Sequence, residues 1–208
     1  MFMIQRGSPY NRDQKQITKQ VNLAVKAPPA IPNFLRSSHQ SVAFSRHDHP
    51  PQVPRPGHSA LVLDAQIGGF AMSRVFMDGG SGINIIFADT LRGMNILTTN
   101  LAPSVNTFHG IVPGRPVYPL GTITLEVIFG EPANFRKEKI EFEVVDWKSQ
   151  YHVILGRPAY AKFMAVPHYA YLKLKMPGPN GTITVNGDFE RSDECDRKFN
   201  KISESFGA

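Results

Sequence analysis

The sequence has little of what stabilises secreted or metal-binding modules. It contains one cysteine in 208 residues, Cys195, which excludes an internal disulfide and any cysteine-based zinc module within the chain. Cys195 stands in a polar, charged segment, so we expect an inert or solvent-facing thiol rather than a nucleophile. No apolar run approaches the roughly 18–20 residues that a bilayer-spanning helix needs, and residues 1–12 lack the apolar stretch of a secretory signal. We therefore predict a cytoplasmic or nuclear protein that is not secreted and does not bind a membrane.

Net charge is also missing from most of the chain. In residues 60–208, 15 basic and 15 acidic residues cancel, so the formal excess of +6 comes entirely from residues 1–59, where eight Lys and Arg face two Asp. A basic segment of this kind can contact nucleic acid weakly by counterion release, although many are only solvated tails. Its few aromatic residues form no regular pattern with the basic ones, and it contains no recognised nucleic-acid module. We favour the solvated tail and keep weak nucleic-acid contact as the alternative.

Proline content and periodicity divide the chain into three segments. Residues 1–59 contain eight prolines, and their apolar residues follow no period, which predicts a disordered linker. Residues 60–186 form the predicted domain, and residues 187–208 form a polar C-terminal tail. His47-Asp48-His49 has metal-ligand chemistry, but no further His or Cys stands nearby at ligand spacing, which favours a solvated loop. The sequence predicts no metal site and no cofactor.

Short alternating segments predict a mostly β domain with one or two short helices. Ala60–Ile67 and Phe70–Met77 flank Gly68-Gly69 and predict a β-hairpin. Helical composition marks Ala88–Met94, and Pro158–Met164 begins with a proline at its first position. The remaining predicted strands are Ser104–Ile111, Arg115–Leu120, Thr122–Phe129, Ile140–Val145 (with Glu141 and Glu143 facing outward), Tyr151–Leu155, Tyr169–Lys175 and Thr182–Val185.

One motif carries chemistry. The strand that ends at Met77 leads directly into Asp78-Gly79-Gly80-Ser81. The glycines let the backbone bend tightly and let a substrate or a second chain approach, and the Ser81 hydroxyl is suited to hydrogen-bond a carboxylate. Asp-Gly-Gly is equally good turn chemistry. Taken alone, the motif leaves a catalytic carboxylate and an ordinary turn as open alternatives.

The order of motifs along the chain is more specific. The Asp78 loop is followed by a glycine-containing hairpin and, much later, by an apolar Gly-Arg element that leads into a short helix. The segments that matter are Arg74–Ser81, Phe108–Gly110, Tyr151–Pro158, Lys162–His168 and Leu172–Pro177. Through these segments, about residues 42–200 resemble the retropepsin-like aspartic protease segment of gypsy-class LTR retrotransposon polyproteins from plants.

The resemblance implies a single-lobed retropepsin-like acid-protease barrel that is an aspartic endopeptidase acting on a peptide or polyprotein. It implies a catalytic loop at Asp78, Gly79, Gly80 and Ser81, and a structural strand at Ile154, Leu155, Gly156 and Arg157 that passes behind it. The implied flap, which would close over a substrate, comprises His109, Gly110, Ile111, Val112, Pro113 and Gly114. The chain has one such Asp loop, so the implied site needs a homodimer in which Asp78 meets Asp78′ of the second copy.

The sequence departs from the family at Gly79. The family most often has threonine there, and its hydroxyl bonds the partner loop, which Gly79 cannot do. This leaves three hypotheses: an active polyprotein-processing endopeptidase, a weak or inactive module for dimerisation or peptide binding, and a fragment of a decayed element.

Overall fold

A computed structural model describes residues 37–54, 56–106, 108–112, 115–195 and 197. Among these residues, no helix is both long and apolar enough to cross a membrane. The strands are β1 (Val62–Ile67), β2 (Phe70–Met77), β3 (Ile85–Phe87), β4 (Phe108–Val112), β5 (Arg115–Val117), β6 (Gly121–Glu131), β7 (Asn134–Val145), β8 (Val153–Leu155), β9 (Val166–His168), β10 (Lys173–Gly178) and β11 (Gly181–Asn186). The helices are α1 (Ala88–Gly93) and α2 (Arg157–Phe163), with 3₁₀ turns at Arg46–Asp48 and Thr98–Asn100; residues 189–195 are also helical.

Six strands close into a barrel in the order β1-β2-β8-β3-β7-β6, and β6 pairs back onto β1. β8 lies between β2 and β3, parallel to the first and antiparallel to the second. A strand from late in the chain therefore lies directly beside the end of β2, where Asp78 follows. The predicted mostly β fold with a barrel and short helices is confirmed.

The β1–β2 hairpin forms where Gly68-Gly69 predicts it. Both glycines have positive φ, +58° and +86°. A two-residue hairpin loop with two left-handed residues matches the twist of the flanking strands, and glycine adopts this conformation without steric penalty. Ile67 consequently pairs with Phe70, and the strands continue in register to the Asp78 loop with one irregularity between Leu63 and Ala65.

The β6–β7 hairpin is longer than the sequence indicates. β7 begins at Asn134 rather than at the predicted Ile140. The sequence does not indicate the first half of the strand because four consecutive charged residues interrupt the alternation of polar and apolar residues there. Glu143 lies on the outer face with Glu141, as predicted, but this residue is buried rather than solvent-exposed, at 4% exposure. Asn106, in the loop before β4, donates a hydrogen bond to its Oε1. The loop that contains Asn106 covers the outer face of the barrel here and is tied to β6 by the Ala102–Thr122 bridge.

The barrel interior is an apolar core to which α1 and α2 each add a buried side. Phe129 of β6 meets Phe163 of α2 edge to face, with ring centroids 5.1 Å apart. Burial of a side chain of this size contributes about 1.5–3 kcal/mol. A second, smaller cluster includes Cys195 and the partly buried Trp147, so the thiol is enclosed rather than solvent-facing.

The segments that flank the barrel also contact it. In the predicted linker, Asp48 forms a 2.6 Å ion pair with Lys175 of β10. Asp48 is the last residue of the 3₁₀ turn, and the Ser45 hydroxyl caps the start of this turn. In the predicted C-terminal tail, the buried Ser192 donates to the Ala60 carbonyl at 2.7 Å. The domain boundaries at residues 59/60 and 186/187 stay predictions, and residues 1–36 lie outside the described residues.

Candidate active site

The backbone of Asp78 is fixed by both neighbours of β2. The Met77 amide donates to the Leu61 carbonyl at 2.9 Å, and the Asp78 amide donates to the Leu155 carbonyl at 2.9 Å. Met77 itself is buried, while Asp78 is partly exposed. A partly exposed carboxylate therefore directly follows a strand end that is hydrogen-bonded on both sides.

The loop after Asp78 closes on itself. The Gly80 amide donates to Asp78 Oδ1 at 2.9 Å, and the Ser81 amide donates to the Asp78 carbonyl at 3.2 Å. The expected hydrogen bond from Ser81 to the carboxylate is not what the structure shows. The Ser81 hydroxyl donates to the Ile83 carbonyl at 2.8 Å and accepts from the Ile83 amide, so it holds the exit of the loop.

The Gly-Arg element packs against the back of this loop, as its predicted structural role requires. The Arg157 amide donates to the Ser81 carbonyl at 2.9 Å. A Cβ on Gly156 would fall inside contact distance of the Ile83 carbonyl oxygen and 2.8 Å from that of Ser81. Only glycine permits this close approach of two backbone segments.

The Arg157 side chain adds a polar brace on the outer side of the loop. Its Nη1 donates to the Gly80 carbonyl at 3.1 Å. Its Nη2 lies 3.3 Å from where a Cβ on Gly82 would be, so Gly82 leaves room for the guanidinium. Arg157 is an exposed residue, so it makes this contact with the loop at the protein surface.

Asn84 is a supporting residue that the sequence analysis did not single out. Its side chain is buried; Oδ1 accepts from the Gly156 amide at 3.0 Å, and Nδ2 donates to the Glu141 carbonyl at 2.9 Å. One side chain thus connects β7 and the end of β8 beneath the Asp78 loop. Its signal in the sequence is the single polar residue within Ile83–Phe87.

Two tyrosines beside the loop were also missed. The Tyr169 hydroxyl lies 2.9 Å from the position that a Cβ on Gly79 would occupy. The Tyr160 hydroxyl, on α2, is buried and has no partner in standard hydrogen-bond geometry within the described residues. Burial, then the longer polar contact with Tyr169, then the charge of Asp78 raise the pKa of Tyr160 well above its ordinary value. Tyr160 is therefore a protonated donor.

The predicted flap corresponds to an antiparallel pair, β4 and β5, with Phe108 opposite Val117 and Val112 opposite Arg115. His109, Gly110, Ile111 and Val112 fall in β4. Pro113 and Gly114, the last two residues of the predicted flap, lie outside the described residues. The Leu120 amide, at the return from the hairpin, donates to the Val144 carbonyl at 2.8 Å.

The His47-Asp48-His49 sequence has other contacts. Asp48 pairs with Lys175, and His49 Nδ1 lies 2.6 Å from the Pro50 carbonyl oxygen. The hydrogen bond from Lys175 chiefly lowers the pKa of Asp48 to about 2, with a smaller contribution from the Ser45 amide. Within the described residues, no group of three or more His, Cys, Asp or Glu has a metal-binding arrangement.

A groove of about 530 Å³ runs along β1, β2 and β11, and no residue of the Asp78 loop lines it. This groove is thus away from the carboxylate. The Asp78 loop instead presents its carboxylate and Gly79 on a partly exposed surface.

No protein-family model matches the chain, and no curated protein matches it. Among solved structures, it is similar to the retroviral protease-like domain of Ddi1 from Leishmania major, with 16% identity over 62% of this chain and 94% of that chain and a TM-score of 0.47. It is also similar to a retropepsin-like aspartic protease from Rickettsia conorii, with 15% identity over 60% of this chain and 80% of that chain and a TM-score of 0.40. These similarities assign neither residues nor activity to this chain.

Proposed function

We propose that this chain is an aspartic-type endopeptidase whose active site is made by two copies, with Asp78 of each copy facing Asp78′ of the other. The observation that carries the proposal is the fixed Asp78 loop. Its backbone is hydrogen-bonded to Leu155, its carboxylate accepts from Gly80, and Gly156 and Arg157 pack behind it. An ordinary surface turn needs no such support from a distant strand.

The chemistry follows from two carboxylates held about 3 Å apart, which cannot both ionise and therefore share one proton. The ionised carboxylate is the general base that takes a proton from water, and the protonated one donates to the carbonyl oxygen of the scissile peptide bond. The proton belongs to the pair, so its apparent pKa values are properties of the dimer. One chain contains a single Asp-Gly-Gly-Ser loop, which is why the proposal needs a second copy.

The substrate we propose is an extended peptide covered by the β4–β5 hairpin. A hairpin that closes over a bound peptide excludes water from the reacting bond. Processing of a retrotransposon polyprotein is the finer form of the proposal, and the order of the sequence motifs is its support.

The experiment is cleavage of a panel of extended peptides at mildly acidic pH, with and without a pepstatin-type inhibitor. We expect inhibitor-sensitive cleavage that Asp78→Asn abolishes while the melting temperature stays close to that of the wild type. Asp89→Asn, a change of the same kind at an exposed carboxylate on α1, is the matched control and is expected to retain activity. Peptide cleavage by the Asp78→Asn variant would contradict the proposed mechanism.

A weak or inactive module for dimerisation or peptide binding is the second candidate. Gly79 favours it, because this residue offers no side chain to a partner loop. A protein that binds the inhibitor and sediments as a dimer, yet cleaves no peptide, would support this candidate. Sedimentation as a monomer at high micromolar concentration would contradict the endopeptidase and the dimerisation module, and would leave only peptide binding by one chain.

A further inference from the structure

The Tyr169 hydroxyl lies next to the Asp78 loop, at the position where a side chain on residue 79 would be. Tyr169 lies in the turn that follows β9, far from Gly79 in the sequence and 42% exposed. Its hydroxyl oxygen is 2.9 Å from the site of a Cβ on residue 79, closer than real Cβ contacts. The phenol thus fills the space that a side chain at position 79 would take.

Tyr160 interacts with Tyr169. It belongs to α2, which begins at Arg157 and is therefore joined directly to the Gly-Arg element of the loop. Its buried hydroxyl lacks a partner in hydrogen-bond geometry among the described residues and interacts with Tyr169 at longer range. A buried hydroxyl without a hydrogen-bond partner destabilises the folded protein by about 1–3 kcal/mol, unless a small movement brings a partner within hydrogen-bond distance. The Tyr169 hydroxyl is the group toward which such a movement would be directed.

The tyrosine pair also lies close to the charge of the loop. The negative charge of Asp78 is one of the causes that raise the pKa of Tyr160, after burial and Tyr169. The raised pKa of Tyr160 keeps its phenol protonated, so it is a hydrogen-bond donor. The two tyrosines supply hydroxyl groups beside a loop whose residue 79 supplies none.

We propose that Tyr169, backed by Tyr160, is a positioning residue that holds the Asp78 loop through the space left by Gly79. Glycine at position 79 and tyrosine at position 169 are then a matched pair, and neither is replaceable alone. The role of Tyr169 in turnover rests on the proposed peptidase function, whereas its contact with position 79 does not.

The contact is tested by a double-mutant cycle in the full chain, read by melting temperature and independent of any activity. Gly79→Ala places a methyl group against the Tyr169 hydroxyl, which is the end of a partly exposed side chain and can shift, so we expect it to lower the melting temperature by about 2–4 °C. The Tyr169→Phe variant lacks the hydroxyl oxygen that obstructs the methyl group. In this background we expect Gly79→Ala to shift the melting temperature by no more than about 1 °C. Gly93→Ala is the matched control, because open space surrounds its Cβ position, and its effect should be the same in both backgrounds. Equal effects of Gly79→Ala in the two backgrounds would overturn the proposal.

The positioning role is tested by kinetics. Tyr169→Phe is expected to lower kcat about tenfold with KM within about twofold of the wild-type value, because a less fixed loop holds the carboxylate less well without losing substrate contacts. Tyr118→Phe, which removes the hydroxyl of another exposed tyrosine, is expected to change neither. A rise in KM alone would make Tyr169 a substrate contact and overturn the positioning role. If the wild-type protein cleaves no peptide, the proposed function is wrong. The melting temperatures of the double-mutant cycle still show whether Tyr169 contacts position 79.

Discussion

Replacement of Gly156 by alanine is the perturbation for which the structure gives the clearest magnitude. The added Cβ would meet the carbonyl oxygens of Ile83 and Ser81 and the carbonyl carbon of Ile83. All three are backbone atoms, so a change of side-chain rotamer cannot relieve the overlap. The Gly-Arg element must move away from the Asp78 loop.

Two hydrogen bonds span the gap that must widen: from the Gly156 amide to Asn84 Oδ1 and from the Arg157 amide to the Ser81 carbonyl. Overpacking of this kind costs about 1–3 kcal/mol, and each weakened buried hydrogen bond costs about 1 kcal/mol more. We therefore expect Gly156→Ala to lower the free energy of unfolding by about 3–5 kcal/mol. For a domain of this size, that lowers the melting temperature by about 10 °C.

The assay is thermal unfolding followed by circular dichroism, supported by urea titration. Gly93→Ala is the matched control: the same substitution at the end of α1, with no atom within 4 Å of the new Cβ. We expect it to be neutral or stabilising by up to about 1 kcal/mol. If Gly156→Ala melts within about 1 °C of Gly93→Ala, the close packing behind the Asp78 loop is not present and the argument from it fails.

Three further changes test separate contacts. Asn84→Ala leaves one buried amide and one partly buried carbonyl without these partners, so urea titration should show a loss of about 2–4 kcal/mol in unfolding free energy. Arg157→Lys removes the forked donor that binds Gly80, and peptide assays should show activity falling about tenfold while stability changes by less than about 1 kcal/mol. The folded-state pKa of Asp48 is lowered from 3.8 to about 2, so its contribution to stability is present above pH 3.8 and is lost as the pH falls through 2. Melting curves should accordingly show a difference between wild type and Asp48→Asn that is constant above about pH 5 and disappears near pH 2, whereas a difference that already disappears at pH 4 would contradict the Lys175 pair.

The local parts of the fold are readable from the sequence because local chemistry determines them. Gly68-Gly69 specifies a two-residue hairpin whatever surrounds it, and Pro158 marks the start of α2 because proline fits the first turn of a helix. The Asp78 loop is equally local. Its contact with Gly156 was expected only through the order of motifs, since nothing in either segment alone specifies the other.

Contacts between distant residues account for what the sequence did not reveal. Alternation places Glu143 on the outer face correctly, but a loop from another part of the chain covers that face. Tyr169 meets Gly79 across 90 positions, and a tyrosine in a turn resembles any exposed aromatic residue. Asn84 did carry a local signal, because a lone amide inside an apolar run needs buried partners, and the partners turn out to be backbone groups of β7 and β8.

The central claim is that one active site requires Asp78 from two copies, and subunit mixing tests it most directly. Wild-type protein and Asp78→Asn are mixed in varying proportion at constant total concentration, allowed to exchange subunits, and assayed for peptide cleavage. If both aspartates share one site, activity follows the square of the wild-type fraction, so an equal mixture retains about one quarter of the wild-type activity. Activity of about one half, proportional to the wild-type fraction, would show that each chain acts alone and would contradict the account.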